Sequence, residues 1–273
     1  MNPAVARLPK RVIRLCAQAN ARYGLIGEGD RVMLGLSGGK DSITLAHLLL
    51  RMQKIAPFRF ELLAVTIDYG MGEDLTALGA HCAEYGIAHH VEETDIFPTA
   101  STHIRENSSF CSYFSRMRRG ALYRVAQRLG YGTLALGHHL DDAAESFFMN
   151  LIHNGKLRAM SPVYYSEAHK IKVIRPLIKV REAQLAECAR ENNFPLMGDE
   201  ACPAFHVNVK MPHARAETKA WLHELEKGRP GLFDQIRHAF ETVEAETFFD
   251  EAHFKKASFK IDEDSTKKHK EIR

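Results

Sequence analysis

VMLGLSGGKDS, residues 32–42, decides the fold. Residues 32–36 read as an apolar strand, Ser37-Gly38-Gly39-Lys40 as a turn, and a helix starts near Asp41. Adjacent glycines let the main chain approach a phosphate. The first N–H groups and the positive dipole end of the following helix then hold the anion. Ser37 and Ser42 add hydroxyl donors. The spacing is neither G-x-x-x-x-G-K-[ST] nor G-x-G-x-x-G. A plain strand-to-helix connection explains one glycine and a capping serine, but not Ser37 to Ser42 as a block.

Outward from this turn, short apolar runs alternate with helical patterns. Strands are expected at 31–36, 62–67, 88–92 and 133–137, with helices at 41–54, 73–85, 113–129 and 141–153. That alternation predicts an α/β fold: a Rossmann-like parallel sheet with helices on both faces. The helix at 41–54 is apolar nearly all round, so it is expected to lie buried against the sheet. An N-terminal helix (1–28) precedes the domain that contains the phosphate-binding turn (29–195). A helical C-terminal segment (196–249) and a charged, weakly periodic tail (250–273) follow.

Composition narrows the class. The chain has 273 residues, 45% apolar and 26% charged, which suits a globular protein. It lacks a run of about 18 apolar residues and an apolar signal core, so neither a membrane span nor secretion is expected. Five cysteines, an odd and widely spaced set, point to a reducing cytoplasm rather than a disulfide scaffold. Cys16, Cys82 and Cys188 sit in helix-like stretches and read as small packed apolar residues. A formal charge of +3 is too small to imply a nucleic-acid partner by itself.

A second cluster, Gly137-His138-His139-Leu140-Asp141-Asp142, follows the last expected strand and opens a helix. Two carboxylates at a helix N-terminus can serve as caps. Placed at the same sheet edge as Ser37 to Ser42, the cluster can also hold magnesium and orient a triphosphate.

The first block resembles the PP-loop of ATP pyrophosphatases, which cleave ATP between its α and β phosphates. The resemblance implies that Ser37, Gly38, Gly39, Lys40, Asp41 and Ser42 clasp ATP, with Asp41 near Mg2+. It also implies that Ile67 and Asp68 border the nucleotide. The second cluster, with CSYFSRMRRGALYRVAQRLGYGTLAL before it and IRPLIKV and FPLM after it, resembles the tRNA 2-thiocytidine synthetase family. That resemblance implies a tRNA partner, a homodimer, room for a sulfur-donor protein, and 2-thiolation of a cytidine through an adenylated base. On it, Gly137, His138, His139 and Asp141 join the ATP site, and Asp141 shares the magnesium with Asp41. Asp41, Asp142, Cys111 and Cys202 become the catalytic set. Two alternatives stay open: a PP-loop ATPase that adenylates another substrate without sulfur transfer, and an ATP-binding regulatory protein.

The sequence departs from the family at one point. Members carry Cys-x-x-Cys and a later third cysteine around an iron–sulfur cluster. Here the pair reads Cys111-Ser112-Tyr113-Phe114, and Cys202 matches the third ligand. Two thiolates do not complete a three-cysteine site; His206 or His213 would have to substitute. Phe114 shares a helical face with Met117, Ala121 and Val125, which places it in the core. Either Cys111 and Cys202 form a redox pair carrying a persulfide, or thiolation has been lost. On the same helix Arg116 and Arg119 face away from the apolar stripe. Arg118 falls within it and calls for an anionic partner, while Arg124, Arg128, Lys156 and Arg158 extend the basic stretch.

Overall fold

The computed structural model describes residues 4–102, 110–198 and 213–249. Six strands form one sheet in the order β3-β2-β1-β4-β6-β5. They are β1 (Arg31–Gly35), β2 (Glu61–Asp68), β3 (His89–Glu93), β4 (Thr133–Ala135), β5 (Val163–Ser166) and β6 (Ile171–Ile174). All neighbours run parallel except the β5–β6 pair. Central parallel strands are covered on both faces and therefore read as continuous apolar runs. Val32, Met33 and Leu34 of β1 and Leu134 and Ala135 of β4 are accordingly solvent-free.

The first helix, α1 (Lys10–Tyr23), buries the stripe Val12, Leu15, Cys16 and Ala19, and ends at Gly24 in the left-handed conformation. After β1 comes α2 (Lys40–Ile55), buried continuously from Ser42 to Leu49. Then follow α3 (Thr76–Tyr85), α4 (Ile96–Thr102), α5 (Phe110–Leu129) and α6 (Leu140–Asn154). The C-terminal helices are α7 (Glu182–Glu191), α8 (His213–Gly228) and α9 (Leu232–Glu241). The parallel α/β sheet, the N-terminal helix and the later helical stretch are as the sequence pattern anticipates.

Three elements differ from that pattern. The helix expected at 73–85 begins only at Thr76, after an Asx-type turn in which Asp74 accepts from the Thr76 N–H at 2.9 Å. The seven-residue α4 gave no periodic signal over so short a span. The β5–β6 hairpin extends the sheet with two four-residue strands, too short for an alternation to declare itself.

Helix α5 covers one face of the sheet. Phe114, Ala121, Leu122 and Val125 pack there with Met33, Val65, Leu134 and Val173. Phe114 meets the edge of the Tyr69 ring at 4.8 Å, so it occupies the core position its helical spacing assigns. Cys16, Cys82 and Cys188 are buried free thiols. Burial pushes Cys16 up to about 12 and Cys82 to about 11, which leaves them unreactive at neutral pH. No described helix is long and apolar enough to cross a membrane.

The chain divides into two compact units, Met1–Phe233 and Asp234–Arg273. The first contains the sheet. Leu134, solvent-free in the central strand, tests its core. Leu134→Ala is expected to lower unfolding free energy by about 2–5 kcal/mol in urea titration. A loss under about 1 kcal/mol would contradict tight packing there.

Candidate active site

The loop between β1 and α2 is shaped by its own side chains. Ser42 Oγ accepts from the Ser37 N–H at 3.1 Å, donates to the Gly39 carbonyl at 3.0 Å, and lies 3.1 Å from Ser37 Oγ. Gly39 is the N-cap of α2 and offers no side chain to the first turn. The free N–H groups and dipole of α2 are thus left for an anion, as the SGGKDS reading requires. Gly38 adopts φ +74°. A β-carbon there would stand 2.3 Å from Met197 Sδ, whose own N–H donates to the Gly38 carbonyl at 3.1 Å. The segment Phe194 to Met197 therefore seats against the loop, a contact with no local sequence signal.

The second cluster packs directly onto the first. A β-carbon on Gly137 would meet Ser42 N at 3.2 Å and the Asp41 carbonyl carbon at 3.3 Å, so glycine permits the two loops to touch. His139 caps α6. Its Nδ1 accepts from the Asp142 N–H at 3.4 Å, and Asp142 Oδ2 accepts from the His139 N–H at 3.0 Å. Asp142 also pairs with Arg215 through its other oxygen. The capping role and the position at the cavity are therefore held by one residue.

Asp41 is the carboxylate at the centre. Oδ2 lies 3.5 Å from Lys40 Nζ and 3.8 Å from His139 Nε2, while Oδ1 is buried with no hydrogen-bond partner among the described residues. Burial raises its pKa, opposed by the neighbouring His139 and Lys40 and reinforced by Asp142 and Glu182. An orphaned carboxylate oxygen beside a second carboxylate is an all-oxygen donor set, and it fits a hard divalent cation such as Mg2+.

Asp141 points elsewhere. It is 2% exposed and accepts from Arg181 Nε at 3.1 Å and from the Glu182 N–H at 2.7 Å. Arg181 in turn grips Glu226 with two bonds, 2.6 and 2.9 Å, and lies 3.5 Å over the Phe233 ring. Glu182 receives Lys40 at 3.0 Å and Lys219 at 2.7 Å. Helix α8 supplies Arg215, Lys219 and Glu226 to this network. The alternating charges of HARAETKAWLHELEKG were its only sequence trace.

Between the two loops and α5 lies a cavity of about 260 Å³. One wall is Ser37, Asp41 and Ser42; another is Ser115, Arg118, Arg119 and Leu122; Gly137, His138 and Asp142 close it. Arg118 faces this space without a carboxylate partner among the described residues, consistent with its need for an anion. Burial holds His138 down at about 4; Asp142 opposes this, while Arg175, Arg118 and Arg215 reinforce it, so the imidazole is neutral at pH 7. Its Nδ1 is buried without a partner among the described residues.

The other expected residues lie around this centre. Ile67 is buried at the carboxyl end of β2, and Asp68 Oδ1 there accepts from the Gly70 N–H at 2.8 Å. Neither lines the cavity. Position 111 is in the first turn of α5, four residues before Ser115 and seven before Arg118, so it belongs to their stripe. Cys202 and His206 lie outside the described residues; Cys202 follows Met197 by five positions. A three-thiolate cluster does not fit the first motif: the position of its second ligand is filled by Phe114, packed on Tyr69 in the core.

The PP-loop domain family matches residues 11–207. The tRNA-cytidine(32) 2-sulfurtransferase of Geobacter sulfurreducens is 39% identical over 88% of this chain and 93% of its own length. That of Methylococcus capsulatus is 41% identical over 87% and 81%. Among solved structures, the U34-tRNA thiolase NcsA from Methanococcus maripaludis, with its [4Fe-4S] cluster, aligns at TM-score 0.67 and 26% identity. It covers 85% of this chain, which covers 77% of that one.

Burial alone would raise Glu182, yet hydrogen bonds from Lys219 and Lys40 bring it down to about 2. A depressed carboxylate adds stability that is full above its unfolded pKa of about 4.3 and is lost as pH falls toward 2. Thermal melts should therefore show stability declining from pH 5 to pH 2 (roughly) in the wild type and less steeply in Glu182→Gln. Equal slopes would contradict the pairing.

Proposed function

The chain belongs to the PP-loop family, on its tRNA-cytidine(32) 2-sulfurtransferase branch, and from that premise we propose that it thiolates a tRNA cytidine at C2 at the expense of ATP. The observation that carries this reading is the closure of two phosphate-facing loops, Ser37–Ser42 and Gly137–Asp142, around a cavity that also holds Arg118.

The chemistry follows from the groups present. The α2 N-terminus and the hydroxyls of Ser37 and Ser42 hold the β and γ phosphates. The cytidine O2 attacks the α-phosphorus, pyrophosphate leaves, and the base carries AMP through its former carbonyl oxygen. Arg118 stabilises negative charge gathering on the phosphates, fixed in place before the reaction starts. Asp41 and Asp142 are the residues that would hold Mg2+, which neutralises phosphate charge when bound. Asp141 keeps α6 and α7 together through Arg181 and Glu182. His138, neutral at pH 7, offers a hydrogen bond without adding charge. A base inside a helix is out of reach of such a cavity, so the target lies in a loop or is flipped out.

Sulfur delivery rests on Cys111 and Cys202. One carries a persulfide, whose terminal sulfur attacks C2 and displaces AMP. The other thiolate then attacks the bridging sulfur, leaving sulfur on the base and a disulfide between the two cysteines. A persulfide donor and a thiol reductant restore the starting state. The reading is supported by position 111 on the Ser115–Arg118 stripe and by the short tether from Met197 to Cys202. Phe114 argues for this route over an iron–sulfur cluster.

Mass spectrometry of tRNA nucleosides tests the proposal. Cells lacking the protein should lose 2-thiocytidine. The wild type should restore it, and Asp41→Asn, Cys111→Ser and Cys202→Ser should not, with protein purified anaerobically free of iron. Unchanged thionucleosides with and without the protein would overturn the sulfur reading, and an iron-bearing active protein would overturn the two-cysteine route.

A further inference from the structure

We propose that the apolar floor of the cavity, Gly35, Leu122 and Leu136, is the seat of the acceptor pyrimidine, with His138 meeting the polar edge of its ring. The assignment rests on the tRNA reading above and adds to it the place of the reacting base.

The cavity has two unlike halves. Ser37, Ser42, Asp41 and Asp142 line one of them with hydroxyls and carboxylates. Gly35, Leu122 and Leu136 line the other and bring no polar side chain to it. Leu122 and Leu136 belong to the core that α5 covers, so this floor is the rim of that core. A triphosphate gains nothing there, because charge laid on hydrocarbon loses its solvation. A flat heteroaromatic ring suits it, with apolar faces to bury and a polar edge to pair. Ser115, Arg118 and Leu122 recur at three- and four-residue spacing along α5, so one stripe runs from the polar wall down to the floor.

Gly35 shapes the floor by what it lacks. Its φ lies outside the left-handed region, so the backbone itself does not require glycine. A β-carbon there would stand 3.3 Å from Leu122 Cδ1 and 3.4 Å from Leu136 Cδ2, and would press on both leucine ends. His138 supplies the edge contact. Its Nδ1 is buried without a hydrogen-bond partner among the described residues, and the residue lines the same cavity. An unpaired buried nitrogen is costly, and the amino group or ring nitrogen of a cytosine removes that cost.

The adenine of ATP is the competing occupant. Ile67 and Asp68, the residues expected to border adenosine, end β2 and do not line this cavity. β2 adjoins β1 on the side away from β4, whereas the floor is built from the ends of β1 and β4 and from α5. Adenosine directed toward β2 leaves the floor to the second reactant. Gly35 stands two residues before Ser37, and Leu136 immediately precedes Gly137. A ring on the floor thus lies beside both loops, the proximity that attack of its exocyclic oxygen on the α-phosphorus needs.

The test uses the full chain, an unmodified tRNA transcript, ATP with Mg2+ and a persulfide donor, and measures tRNA affinity, ATP affinity and kcat for thiolation. Gly35→Ala should lower kcat by about ten- to a hundredfold, since one added methyl misplaces the ring. His138→Ala should lower it about tenfold, and His138→Asn, which returns a polar amide, should recover to within about threefold of wild type. Affinity for tRNA should stay within about twofold, because phosphate contacts supply most of it, and ATP affinity likewise. A purely structural role would lower the melting temperature without separating kcat from the two affinities. Weakened ATP binding by Gly35→Ala would overturn the proposal and place adenine on the floor. Wild-type kcat in both Gly35→Ala and His138→Ala would overturn it too. Should Gly35→Ala melt well below wild type, His138→Ala decides: an unchanged kcat sinks the proposal, and a fall that Asn restores upholds it. A wild-type protein that thiolates no tRNA would overturn the tRNA reading together with the subsite.

Discussion

Gly137 touches the first turn of α2, and the rest of the site depends on that contact. With Ser42 N only 3.2 Å from where a β-carbon would stand, any side chain here would push the loop after β4 away from the loop after β1 by a few tenths of an ångström. This contact sets Asp142 and His138 opposite Asp41, Ser37 and Ser42 across one cavity. Parallel strands make the juxtaposition available, because both loops leave the carboxyl edge of neighbouring strands. The glycine brings the two loops close enough for Asp41 and Asp142 to line one cavity.

Charge is sorted around that space. Carboxylates gather where α2 and α6 begin, and each has a fixed duty or a missing partner. Asp141 is committed to Arg181, Asp142 is shared between its cap and Arg215, and Asp41 keeps a buried oxygen open. Cations without carboxylate partners among the described residues, Arg118, Arg119 and Arg175, lie toward α5 and β6. Helix α8 braces the acidic side through Arg215, Lys219 and Glu226, so the two loops are held partly from the C-terminal end of the first unit.

The core of this arrangement was legible in the residues. VMLGLSGGKDS announced strand, turn and helix because glycine pairs, hydroxyls and apolar runs each carry a local physical cause. The stripe Phe114, Met117, Ala121 and Val125 likewise placed Phe114 in the core by periodicity alone. What local patterns do not encode is which of two adjacent carboxylates turns inward. Asp141 and Asp142 differ in sequence by one position and in the fold by a partner 40 residues away, Arg181. Met197 on Gly38, Arg215 on Asp142 and the unpaired burial of Arg175 are tertiary facts of the same kind. The β5–β6 hairpin leaves no sequence signal for a simpler reason: four-residue strands give a period too little length to repeat.

In the proposed activity Ser37–Ser42 and Gly137–Asp142 together cleave ATP between its α and β phosphates to activate a tRNA base. Its most direct test is to identify the nucleotide products formed with α-labelled ATP, tRNA and a persulfide source. AMP and pyrophosphate are expected, in amounts matching the sulfur gained by the tRNA, and neither from Asp41→Asn. Formation of ADP and phosphate, or no turnover with tRNA and sulfur both supplied, would contradict it.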